Sequence, residues 1–88
     1  MYKILYTKKA LKHIPNLKAS FLDKNVKLLI DVIRNNPFQP PPPYESLCGD
    51  FKGLYSRRIN LKHRLVYEVN ETQKEVKIIS MWTHYENL

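Results

Sequence analysis

Eighty-eight residues carry fifteen Lys and Arg against eight Asp and Glu, a formal net charge of +7. That is enough chain for one domain, residues 1–88, and too little for a second hydrophobic core. One cysteine, Cys48, excludes an intramolecular disulfide and a cysteine-based metal cluster. Two glycines exclude a glycine-rich phosphate loop, and the cationic excess favours an anionic partner: nucleic acid, an acidic protein or a membrane surface.

Residues 2–7 (YKILYT) are apolar and aromatic and predict a first strand. Thr7 is placed to cap a short helix through His13, because its hydroxyl can accept an orphan N–H of the first turn. Pro15 ends that helix or starts the next segment. A longer helix is predicted from Ser20 or Asp23 to Asn35, since Leu22, Val26, Leu29, Ile30 and Ile33 recur at helical spacing. Asn35, Asn36 and Pro37 stop it. The prolines at 40–43 predict a stiff, extended link between helix and sheet rather than a ligand for a proline-binding module. Gly49 and Gly53 mark a turn, and residues 54–59, 63–70 and 75–84 read as three strands joined by short hairpins. The expected fold is α+β: two N-terminal helices on one face of a small, mainly antiparallel four-stranded sheet. No apolar stretch reaches the ~20 residues of a membrane span, and no signal-peptide pattern precedes the first strand. A reducing, cytoplasmic setting without a membrane anchor is expected.

The chemistry concentrates between residues 45 and 64 and in the terminal His84 and Tyr85. A hairpin centred on Leu61 sets Arg58 opposite Arg64 and sends Arg57 to the other face. Like charges in that position repel, so either an anion sits between them or one arginine pairs with Glu45 or Glu68 while the other is solvated. Tyr44, Tyr55, Trp82 and Tyr85 lie close enough in sequence to stack on bases, although Tyr55 and Trp82 also fit the core. Register decides whether the last strand joins the arginine face. A second hairpin centred on Thr72 puts Arg64 opposite Ser80 and brings Ile78, Ser80, Trp82 and His84 to its side; a half-residue shift sends them all away. No metal-binding motif or clustered carboxylates occur, so no metal or other cofactor is expected.

The motifs NPF (36–38), the proline run, PYESL, GLYSRRIN, HRLVYEV and the terminal MWTHY together resemble the Txe/YoeB branch of the RelE-like bacterial toxins over residues 36–85. The N-terminal half agrees in its order of strand and helices. The resemblance implies a ribosome-dependent, metal-independent endoribonuclease that cleaves mRNA and is held inactive by a cognate antitoxin. It further implies a possible homodimer and operator DNA bound only through the antitoxin complex. By position, Glu45 matches the general base, His84 the general acid, Arg64 the arginine on the scissile phosphate, Arg58 a supporting phosphate contact and Tyr85 a substrate-orienting tyrosine. Cys48 stands where better-known members carry lysine, and Lys52 is the neighbouring cation available in its place. The competing readings are a non-enzymatic ParE-like toxin and a plain basic nucleic-acid-binding module on the same scaffold.

Overall fold

The computed structural model describes residues 1–82. Its strands are β1 (Lys3–Tyr6), β2 (Tyr44–Ser46), β3 (Leu54–Arg58), β4 (Arg64–Asn70) and β5 (Glu75–Ser80); its helices are α1 (Lys8–Lys12), α2 (Ile14–Ala19) and α3 (Asp23–Asn35). They form one five-stranded sheet in the order β1-β5-β4-β3-β2, with the helices against one face. The strands β2 to β5 run antiparallel, and β1 joins β5 in parallel because the helices carry the chain back across the sheet.

The expected α+β architecture holds, with two corrections. The sheet has five strands rather than four, because the short stretch Tyr44–Ser46 pairs with β3 at the edge. Three residues after a proline run carry no strand pattern of their own; only the tertiary pairing makes them one. The first helix ends at His13 as expected, but the segment after it is also helical: α2 starts there, with Pro15 in its opening turn, where its missing N–H costs nothing.

Thr7 caps α1 as its chemistry predicts: the hydroxyl oxygen accepts from the Ala10 N–H at 3.1 Å. The same hydroxyl donates to the Ile79 carbonyl at 3.0 Å, which ties the helix start to β5. Along α3, Val26, Leu29, Ile30 and Ile33 are buried in one stripe, and they meet Leu65, Tyr67, Val76 and Ile78 of the sheet. Each such side chain contributes roughly 1.5–3 kcal/mol when withdrawn from water. Asn36 stops α3 in extended conformation, and its side-chain oxygen accepts from the Phe38 N–H at 3.0 Å. The proline run is not extended. It bends at Pro41 and Pro42, and the Pro40-Pro41 and Pro41-Pro42 peptide bonds are cis. Gly53, at φ +98, turns the chain into β3 through a conformation that other residues rarely adopt.

The β3–β4 hairpin has the predicted centre, with Arg58 paired to Arg64. Asn60 closes it by accepting from the Lys62 and His63 N–H groups at 2.9 and 2.7 Å. The β4–β5 pairing follows neither predicted register throughout. Tyr67 pairs with Ile78, but Val66 pairs with Ser80, leaving Ile79 as the extra residue of a β-bulge. Ile78 therefore packs on the helix side, whereas Ser80 is handed to the arginine side, opposite Val66 rather than Arg64.

Candidate active site

Three neighbouring strands build the site on the sheet face away from the helices. Strand β2 brings Glu45 opposite Ser56 of β3, and two residues along β3 Arg58 stands opposite Arg64 of β4. Alternation puts all four side chains on one face. Together with Pro42 and Pro43 they line a cavity of about 180 Å³. Arg64 Nη1 forms an ion pair with the Glu45 carboxylate at 3.3 Å and donates to the Ser56 hydroxyl at 3.3 Å. The arginine side chain is 11% exposed and the glutamate 58%, so the cation is anchored in the floor while the carboxylate stands at the mouth. Arg58 is exposed. Of the arrangements open from sequence, the arginine paired to Glu45 is the one present in the free chain.

Two opposed arginines beside one carboxylate have clear chemical capacity. They can hold an anion between them, and Glu45 can accept a proton at its edge once the anion takes over Arg64. Ser56, 1% exposed, holds Arg64 in place. Sequence reasoning missed it, although its position two residues before Arg58 on one strand was available as a signal. Pro42 and Pro43 carried no such signal.

The remaining expected residues are distributed differently. Lys52 ends the short 3-10 turn Gly49–Phe51 and is not among the residues lining the cavity; Cys48 opens that turn and is exposed. Tyr44 and Tyr55 do not flank the cavity. They point to the opposite face, where they pack with Phe38 at ring-centroid distances of 5.7 and 5.1 Å. Arg57 is turned away from the cavity, as strand alternation requires, and is 1% exposed. His84 and Tyr85 lie outside the described residues. Among those described, no cluster of three or more His, Cys, Asp or Glu residues could hold a metal ion, and no helix is long and apolar enough to cross a membrane.

Two histidines hold the end of β5. His63 stacks on Trp82 with centroids 3.8 Å apart and planes 17° apart, and its Nδ1–H donates to the Trp82 carbonyl. His13 does the complementary job: its Nδ1 accepts from the Met81 N–H at 3.1 Å. Burial, aided by Lys9, lowers the His13 pKa below its ordinary 6.5 and keeps that nitrogen free to accept. Because the folded value is depressed, the stability linked to His13 is present above about pH 6.5 and is lost as pH falls through the lowered value. Urea unfolding across pH 5–8 is expected to show this slope in the parent chain. His13→Asn should flatten it, since an amide oxygen accepts the same bond without titrating. An unchanged slope in the variant would refute the assignment.

The chain matches the family described as YoeB-like toxin of bacterial type II toxin-antitoxin system over residues 8–85. It belongs to that family. It is 40% identical to Toxin YoeB of Synechocystis over 63 residues, covering 72% of this chain and 71% of that one. The YoeB-YefM complex from Staphylococcus aureus superposes with a TM-score of 0.80 at 30% identity, covering 97% of this chain and 99% of the other. A YoeB dimer from the same organism gives 0.80 at 30% identity, with 96% and 98% covered. The fold and the toxin class of this chain agree with the resemblance its motifs carry.

Proposed function

We propose that this toxin is a ribosome-dependent endoribonuclease that cleaves mRNA in the cytoplasm by attack of a ribose 2′-OH on the adjacent phosphate. The observation that carries the reading is the convergence of Glu45, Arg58 and Arg64 on one small cavity. An mRNA phosphate displaces the Glu45 carboxylate from Arg64 and bridges the opposed arginines. The freed carboxylate takes the 2′-OH proton, the oxygen attacks phosphorus in line, and the arginines neutralise the charge that builds on the phosphoryl oxygens. His84 is the proposed acid that protonates the departing 5′-oxygen, with Tyr85 orienting the substrate and Lys52 the peripheral cation. DNA lacks the attacking hydroxyl and is not a substrate.

In the resting cell the partner is an antitoxin that covers this basic face, in keeping with the YoeB-YefM complex of the staphylococcal relative. That relative's dimer supports a homodimeric form as well. Operator DNA is reached only through the antitoxin complex.

Purified, EDTA-treated and desalted toxin added to programmed ribosomes in only the Mg²⁺ that keeps them intact is expected to cut mRNA, and His84→Ala to lower the rate by roughly 10²–10⁴-fold. Cleavage that requires added divalent metal beyond what ribosome integrity demands, or no cleavage beside inhibition of DNA supercoiling, overturns the nuclease reading.

A further inference from the structure

Arg57 is 1% exposed on the helix side of β3, and its guanidinium spends its donors on backbone carbonyls and a phenol. Nε donates to the Tyr67 hydroxyl at 3.1 Å, Nη1 to the Pro42 carbonyl, and Nη2 to the Pro37 carbonyl at 3.0 Å. Tyr67 in turn donates to that same Pro37 carbonyl at 2.7 Å. The Tyr44 ring centroid lies 5.4 Å from the guanidinium carbon. The described ion pairs do not include Arg57.

The reason lies in the composition of the loop it holds. Five of the seven residues at 37–43 are proline, and the only backbone donors there are Phe38 and Gln39. Both are already used on Asn36, at 3.0 and 3.1 Å. The loop is thus rich in carbonyl acceptors and unable to supply its own donors. A guanidinium is the complement it lacks: several N–H donors in a fixed planar fork and no acceptor. A lysine at the same place would present a compact ammonium without the fork.

We infer that Arg57, supported by Tyr67, is a positioning residue that locks the proline loop and thereby fixes the wall and the carboxylate of the cavity on the opposite face. Pro42, whose carbonyl it holds, lines that cavity with Pro43 and Glu45. Tyr44, the residue before Glu45, is also its direct cross-strand partner. The adjacent arginines divide the labour by strand alternation: Arg58 faces the anion site and Arg57 holds the loop beside it. The inference rests on the nuclease reading for its catalytic consequence and on the structure alone for its mechanical one.

Tyr67→Phe and Arg57→Lys test it with two readouts, and Ile78→Val serves as a control for a general loss of stability. Backbone amide exchange at 44–47 is expected to accelerate at least ~10-fold in both loop variants, while α3 amides keep their protection. On programmed ribosomes kcat should fall ~10–100-fold with KM within about twofold, the pattern of a misplaced catalytic group. Acceleration spread evenly over the chain, as in the control, overturns the inference. So does a loop that exchanges at the parent rate, or a fall in activity carried by KM alone. Should the parent toxin fail to cleave mRNA, the nuclease reading falls while the exchange experiment still decides whether Arg57 locks the loop.

Discussion

Arg64→Ala is expected to lower the rate of mRNA cleavage on programmed ribosomes by ~10²–10³-fold, the usual effect of removing one preorganised donor from a developing oxyanion. Arg64 is the donor best suited to that role. It is largely buried, and the Ser56 hydroxyl at 3.3 Å keeps it in place once phosphate has replaced Glu45. Thermal unfolding should show little loss, because the substitution also relieves the repulsion of two opposed cations. Like charges directly opposed across a strand pair are destabilising, and an ion pair with an exposed carboxylate contributes only about 0–1 kcal/mol. Arg64→Lys should recover only part of the rate, since a point charge cannot span two phosphoryl oxygens. Full activity in Arg64→Ala would remove the arginine from the mechanism, and loss of fold would reclassify it as a structural residue.

The largest stability effect is expected at Ile33. Its side chain is 0% exposed and closes the α3 stripe against the sheet. Ile33→Ala removes buried methyl groups and leaves a cavity, a change that costs about 2–5 kcal/mol. A domain of this size has about 5–15 kcal/mol in total, so a large part of the margin goes. The melting temperature should fall by roughly 10 °C or more. Leu28, on the same helix but 67% exposed, is the internal contrast. Leu28→Ala should change stability by no more than about 0.5 kcal/mol. Equal effects at the two positions, read by calorimetry, would contradict the assigned core face.

The α3 stripe was legible because helical periodicity separates its faces without help from the rest of the chain. The Arg58 and Arg64 pairing was legible for a similar reason: a short hairpin fixes its own register. Strand β2 was not, since three residues after prolines become a strand only when β3 lies alongside. The bulge at Ile79 was hidden by composition. Ile78, Ile79, Met81 and Trp82 place apolar residues in both phases of the alternation, so nothing in the run says where the phase changes. Strand alternation sends Arg57 off the face of Arg58 and Arg64, but its burial was invisible. Its partners Pro42 and Pro37 lie fifteen and twenty residues away and are carbonyls, which every residue has. Ser56 could have been found by carrying the alternation argument one step back along β3.

The bulge divides β5 into two stretches that answer to different constraints. Before it, Val76 and Ile78 are judged by how well they fill space beneath the helices. After it, Ser80 is buried on the other face, opposite Val66, and Met81 returns to the core beneath the helices. A change in the first stretch is felt beneath the helices alone, whereas a change at Ser80 is felt in the layer that carries Arg64 and Ser56. One extra residue thus lets a single strand give both Ile78 and Met81 to the helix side with Ser80 on the other, a spacing that regular alternation would not permit.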